Sequence, residues 1–243
     1  MIDCRLVREA PADGRWNMSV DQMLLEQAAA GKTTLRFYEW SEPTLSLGYF
    51  QSFQHRNEHQ ESLPCAWLRR ASGGGAILHD LELTYSFATP QIGRAAKQQQ
   101  HLYDAFHNSL IQALAAFDVL ATRCGIPIPT GPPPFLCFQR QTIGDVLIND
   151  HKVMGSAQRK YQQGILQHGS ILLQKSQYTP QLPGIHELSK AVQVGDLIDQ
   201  WQPLLAAQLS LQLQPEPLSE SACQRSLEID RSKFGTQRWN QKR

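Results

Sequence analysis

Very little in this chain of 243 residues marks it for nucleic acid, membrane or metal. Its formal net charge is +1, so it lacks the broad basic surface that holds a polyanionic backbone. No apolar run reaches the length of a membrane span. The opening residues, Met1-Ile2-Asp3-Cys4-Arg5, do not follow the basic-then-apolar pattern of a secretory signal. Five cysteines, Cys4, Cys65, Cys124, Cys137 and Cys223, are scattered, odd in number and free of C-x-x-C pairs. That speaks against a disulfide framework and against a zinc site. The expectation is a cytoplasmic protein with reduced thiols. No internal repeat is visible. A hydrophobic fraction of 41% with 19% charged residues is ordinary for a globular chain. The length suits one sizeable core, although length alone would also allow two small domains.

The informative feature is the stretch Arg69-Arg70-Ala71-Ser72-Gly73-Gly74-Gly75-Ala76-Ile77-Leu78-His79-Asp80, followed by Leu83-Thr84-Tyr85-Ser86. Glycine costs backbone entropy, so consecutive glycines mark a place where the main chain approaches a ligand or takes positive φ. A bare triple glycine is more often a flexible surface loop. Here the flanks are structured, because Leu83–Phe87 is rich in β-formers, and the loop reads as a binding loop. No Lys-Ser/Thr follows it, which excludes a Walker loop. The spacing is not the G-x-G-x-x-G of a dinucleotide fold either.

Helical periodicity predicts helices from about Asn17 to Ala30, over His101–Phe117 and over Leu197–Leu209. Strands are expected at Thr34–Trp40 and Leu45–Phe50, separated by the turn Ser41-Glu42-Pro43. Further strands are expected at Asp145–Ile148, Lys152–Ala157 and Ile165–Leu173, with hairpin turns at Asn149-Asp150 and Gln162-Gln163-Gly164. Hairpins and separate helices without βαβ alternation indicate an α+β fold. The prolines of the stretch from Gly125 to Pro134 predict a loop. Residues 230–243, polar and basic, predict a loosely ordered tail.

The glycine segment resembles the lipoate/octanoate protein ligase and transferase family, whose pattern is close to R-R-x-[ST]-G-G-[GR]-x-[VI]-x-H-D followed by L-x-Y-S. The resemblance extends to Asn17-Met18-x-x-Asp21, to Leu35–Trp40 with Pro43–Gln51 as a first hairpin, and to Gly155-Ser156-Ala157-Gln158 with Ile165–Ser170. It is strongest over residues 16–173. It implies a mostly antiparallel β-sheet flanked by helices, a biotin/lipoate protein ligase-like catalytic domain, here expected as one domain over 1–243. It assigns Arg70, Ser72, Gly73, Gly74, Gly75 and His79 to the acyl pocket, with Gly155, Ser156 and Ala157 as further substrate-binding residues. His79 and His168 are read as pocket-shaping, and no metal site is expected.

Within that family, order and spacing select a branch. LipM-type octanoyltransferases carry a Cys-Phe pair, an acidic residue eight positions later and a lysine fifteen positions after the cysteine. This chain has Cys137-Phe138, Asp145 and Lys152. The ligases that activate lipoate with ATP lack this cysteine, and LipB-type transferases place theirs after the lysine. Taken alone, Cys137 would be read as a small buried hydrophobe and Lys152 as a solvated charge. The resemblance makes them catalytic. A cysteine can split acyl transfer into two exchanges, and a neighbouring cation favours its thiolate. Lys152 and backbone N–H groups near Gly155 can also hold a developing oxyanion.

The resemblance therefore implies an acyltransferase that moves octanoyl from acyl carrier protein, through Cys137, to a lysine of a lipoyl domain. Acceptors would be glycine cleavage H protein or the acyltransferase subunits of 2-oxoacid dehydrogenases. No cofactor is implied. The alternatives are an amidotransferase between lipoyl proteins and an ATP-dependent lipoate-protein ligase. In place of the Ser72-Gly73-Gly74-Gly75 found here, LipM-type enzymes often have Thr-Gly-Gly-Arg.

Overall fold

The computed structural model describes residues 1–127 and 131–243. Eight strands form one sheet. In chain order they are β1 (Ile2–Arg8), β2 (Thr33–Tyr38), β6 (Glu82–Pro90), β7 (Thr122–Arg123), β8 (Val146–Ile148), β9 (His151–Tyr161), β10 (Gly164–Leu172) and β11 (Leu211–Pro215). Their spatial order is β11-β1-β2-β6-β10-β9-β8-β7. The pairs β11/β1 and β1/β2 are parallel. Every pair from β2/β6 outwards is antiparallel. Three short strands, β3 (Thr44–Leu47), β4 (Ala66–Arg69) and β5 (Ile77–His79), make a second sheet in the order β4-β3-β5.

The helices are α1 (Gly14–Ala29), α2 (Ala95–Ala115), α3 (Ile185–Leu188), α4 (Val194–Leu209), α5 (Glu220–Ile229) and α6 (Gln237–Asn240). The strand period of two sends alternate residues to opposite faces. Leu35, Phe37, Leu83, Tyr85 and Phe87 point to α2 and α4. Tyr38, Ala88 and Leu166 point to α1, which α5 backs. Trp201 of α4 is fully buried. Its ring meets Tyr85 edge-on at 5.3 Å, and its indole N–H donates to the Ser109 hydroxyl at 2.8 Å. This arrangement is the α+β architecture expected, a mostly antiparallel sheet between helices.

Some boundaries and pairings differ from expectation. Helix α1 begins earlier because the Asp13 carboxylate caps it, accepting from the Trp16 amide at 2.9 Å. β2 and β3 are not a hairpin. They lie in different sheets, and the turn at Ser41-Glu42-Pro43 hands the chain from one to the other. β1 and β11 were not anticipated, since each is held by a partner distant in sequence. Residues 230–243 are not a loose tail. A π-turn spans Asp230–Phe234 and α6 follows. Phe234 is buried, the Trp239 indole donates to the Arg69 carbonyl at 2.7 Å, and the Asn240 side chain accepts from the Arg69 amide at 2.9 Å. The apolar anchors Phe234 and Trp239 overcome the polarity of the segment. Of the expected proline-rich loop, Ile128–Thr130 fall outside the described residues, and its remaining residues form neither helix nor strand.

Candidate active site

The glycine loop joins β4 to β5 of the small sheet, and its shape is imposed by Arg70. That guanidinium is buried and donates to the carbonyls of Gly73 and Gly75, both at 2.7 Å, and to the Ser46 carbonyl at 2.9 Å. Burial lowers its pKa to about 10, which still leaves it charged at neutral pH. Arg70 borders the cavity, but these donors are spent on backbone carbonyls, so it braces the loop. Gly74 takes φ +94°, a region that L side chains rarely adopt. A Cβ on Gly75 would lie 3.1 Å from the Cys137 nitrogen and 3.2 Å from its Cα. The absence of a side chain at Gly75 is what lets the Cys137 backbone press against the loop.

Cys137 is fixed by that contact. Its amide donates to the Ala76 carbonyl at 2.7 Å, and the Ala76 amide donates to the Phe135 carbonyl at 2.9 Å. A 3₁₀ turn over Cys137–Gln139 follows. Lys152 arrives from β9, where it pairs in register with Leu147 of β8 beside a bulge. Its ammonium lies 2.8 Å from an Asp145 carboxylate oxygen, 3.4 Å from the Arg140 carbonyl and 3.9 Å from the Cys137 sulfur. Both Lys152 and Asp145 are buried. Asp145 also accepts from the Thr142 amide at 2.7 Å, the Thr142 hydroxyl at 2.9 Å and the Tyr103 hydroxyl at 3.2 Å. A buried carboxylate so fully supplied with donors holds the Lys152 side chain in place.

A cavity of about 290 Å³ opens in front of the sulfur. Cys137, Lys152, Arg70, Gly73, Gly74, His79, Gly155, Ser156 and Ala157 line it. Ser72 and Gly75 do not. The Ser72 hydroxyl is turned to His168 Nε2 at 2.6 Å, and Gly75 lies beneath Cys137. β8 pairs with β9 only as far as Met154. Beyond it the β9 edge has no strand partner among the described residues, and Gly155–Gln158 border the cavity from that edge. Main-chain N–H groups there can meet a carbonyl oxygen near the sulfur.

Several contacts of the site were not legible in the sequence. Asp21 accepts from the Tyr38 hydroxyl at 3.1 Å and lies 3.1 Å from His168 Nδ1 and from Arg36. Burial would raise its carboxyl pKa, but the His168 hydrogen bond and the Arg36 charge keep it below the ordinary range. The chain Asp21–His168–Ser72 thus ties helix α1 to the glycine loop. His79 is similarly engaged, with Glu82 at 2.7 Å and Ser46 at 2.8 Å, and burial lowers its pKa. His107 was not singled out at all. It is buried, pushed down to about 3 by that burial, and bridges the Gly144 carbonyl and the Ser156 hydroxyl, both at 2.7 Å. Asp145 was picked out only by the family resemblance, eight positions after Cys137. Apart from His79 with Glu82, three residues on, the other contacts join residues far apart in sequence and leave no local pattern.

The model of the lipoyl protein ligase A/B catalytic domain matches residues 13–195. The chain belongs to that family. The matched span holds the glycine loop, Cys137 and Lys152. An octanoyltransferase LipM of Anoxybacillus flavithermus is 32% identical over 182 residues, 70% of this chain and 65% of that relative, just short of two thirds of its length. A LipM of Halalkalibacterium halodurans is 28% identical over 271 residues, covering 97% of this chain and 98% of its own. Among solved structures, a chain of the bi-partite lipoate protein ligase from Thermoplasma acidophilum superposes with a TM-score of 0.78 at 18% identity. That match covers 99% of this chain and 97% of the other. At that identity the likeness speaks to the fold. Among the described residues, no helix is long and apolar enough to cross a membrane.

Proposed function

We propose that this chain is an octanoyltransferase, moving an octanoyl group from acyl carrier protein through Cys137 to a lysine of a lipoyl domain. The observation that carries the reading is the Cys137 sulfur 3.9 Å from the Lys152 ammonium at a cavity wall. LipM relatives at 32% and 28% identity support the acyl group and the partners. A donor thioester is already activated, so the transfer requires no ATP.

In the first half-reaction the Cys137 thiolate attacks the donor carbonyl. The carbonyl oxygen becomes an oxyanion, which Lys152 and the N–H groups on the β9 edge stabilise. The bond to the carrier sulfur then breaks, and the carrier leaves as a thiol with the proton that Cys137 gave up. In the second half-reaction a neutral acceptor amine attacks the Cys137 thioester. The amide bond forms, the C–S bond breaks, and the amine proton restores the Cys137 thiol. Asp145 keeps Lys152 aimed throughout, while Arg70 and His168 hold the loop that covers the acyl chain.

The test is transfer without nucleotide. Wild-type protein, octanoyl-acyl carrier protein and an apo lipoyl domain should give octanoylated domain by intact mass, and free octanoate with Mg-ATP should not. Modification seen only with ATP and the free acid would contradict the reading and favour a ligase.

A further inference from the structure

Beside the glycine loop lies a group of cations that form no ion pair among the described residues. Lys242 Nζ sits 3.4 Å from the Tyr49 ring centre and 3.5 Å from that of Trp239, held between the two rings. The Arg159 and Arg243 guanidiniums stand 5.2 Å and 5.1 Å from the same Tyr49 ring. Lys233 stacks on Trp239 at 4.3 Å and donates to the Gln22 side chain at 2.6 Å. These charges repel one another. Burial, then Arg159 and Lys242, push the Lys233 ammonium down to about 8. Glu26, a carboxylate within reach of Lys233 electrostatically, is already paired with Arg225 at 2.9 Å.

The group borders the mouth of the site. The Tyr49 amide donates to the Ser72 carbonyl at 2.8 Å. Phe50, 70% exposed, covers the Cβ position of Gly73 at 3.6 Å. On the other side Arg159 follows Gln158, which lines the cavity. Cations held together on aromatic rings, with an exposed phenylalanine at their edge, make a surface that attracts anionic partners.

We propose that this surface, built on Tyr49, Arg159, Lys233, Trp239, Lys242 and Arg243, docks an acidic face of the carrier protein that delivers the acyl thioester. The inference rests on the proposed function, in which the donor is a carrier-protein thioester. Charge favours the donor over the acceptor. A carrier-protein arm is joined through a phosphodiester and brings negative charge to the mouth, whereas the acceptor brings a lysine that these cations repel.

The experiment compares two octanoyl donors, the carrier protein and the small neutral thioester octanoyl-N-acetylcysteamine, in wild type and in Arg159→Glu/Arg243→Glu. With the carrier protein, the variant should show a KM raised about tenfold at low salt, and added salt should narrow the gap. With the small thioester, kcat/KM should stay within about twofold of wild type, which also shows that the variant is folded. An unchanged carrier KM overturns the proposal. So does an equal loss with both donors, which would mean structural damage, or a rise confined to the KM of the lipoyl domain. Should wild type accept octanoyl from the small thioester but not from the carrier protein, the proposed donor is wrong and the docking inference falls with it.

Discussion

Replacing Asp145 by asparagine should cost this protein much of its stability as well as its activity. The Lys152 ammonium and Asp145 are buried together, with side-chain exposures of 3% and 2% and a separation of 2.8 Å. Asp145 meets only donors: the Lys152 ammonium, the Thr142 amide and hydroxyl, and the Tyr103 hydroxyl. An asparagine can turn its NH₂ to the Tyr103 hydroxyl, which can accept, but in either orientation the ammonium loses its counter-charge. Breaking one partner of a buried pair costs about 3–5 kcal/mol. For a chain of this size that is a fall in Tm on the order of 10 °C. The double variant Asp145→Asn/Lys152→Met no longer buries an unpaired ammonium and should recover about 1–2 kcal/mol of the loss. Both variants should be inactive in acyl transfer. The assay is thermal unfolding at neutral pH followed by circular dichroism. A single variant melting within about 2 °C of wild type, or a double variant no more stable than the single, would refute the idea that this pair is what holds Lys152.

Gly75→Ala should place a methyl against the Cys137 backbone, lowering the first-order rate of cysteine acylation at least about tenfold for about 1–3 kcal/mol of lost stability; stopped-flow acylation and denaturant unfolding measure the two. His107 is held neutral, with a folded-state pKa of about 3 against an ordinary 6.5. The unfolded chain therefore binds the extra proton between those values. Stability should fall as pH drops below 6.5, by up to about 1.4 kcal/mol per unit from this one group. His107→Gln should flatten that slope by about one proton, as urea midpoints across the range will show. Trp239→Ala removes the indole bond to the Arg69 carbonyl. It should open residues 230–243 to limited proteolysis that wild type resists.

What the sequence made readable was local. Helical spacing exposed the cores of α1, α2 and α4, and the turns at Asn149-Asp150 and Gln162-Gln163-Gly164 announced the β8–β9–β10 meander. At the site, the family resemblance singled out Cys137, Asp145 and Lys152, three side chains that the structure brings together. β1 escaped because its parallel partners start at Thr33 and Leu211, and nothing local signals such pairing. β2 and β3 looked like a hairpin because a turn separates them, yet packing sends them to different sheets. Composition misled at residues 230–243, where Phe234 and Trp239 decide the outcome against their polar neighbours. Arg70 and Ser72 were expected in the acyl pocket. Arg70 borders the cavity with its donors on loop carbonyls, and the Ser72 hydroxyl turns to His168, a distinction of side-chain direction that no spacing encodes.

The central claim is that the acyl group rests on Cys137 between donor and acceptor. Intact-mass spectrometry of the protein, mixed with octanoyl-acyl carrier protein in the absence of acceptor and ATP, tests it most directly. The account predicts a gain of one octanoyl group on wild type that hydroxylamine removes and an apo lipoyl domain collects, with no gain on Cys137→Ala. A Cys137→Ala variant that still carries octanoyl, or still transfers it at the wild-type rate, would contradict the account.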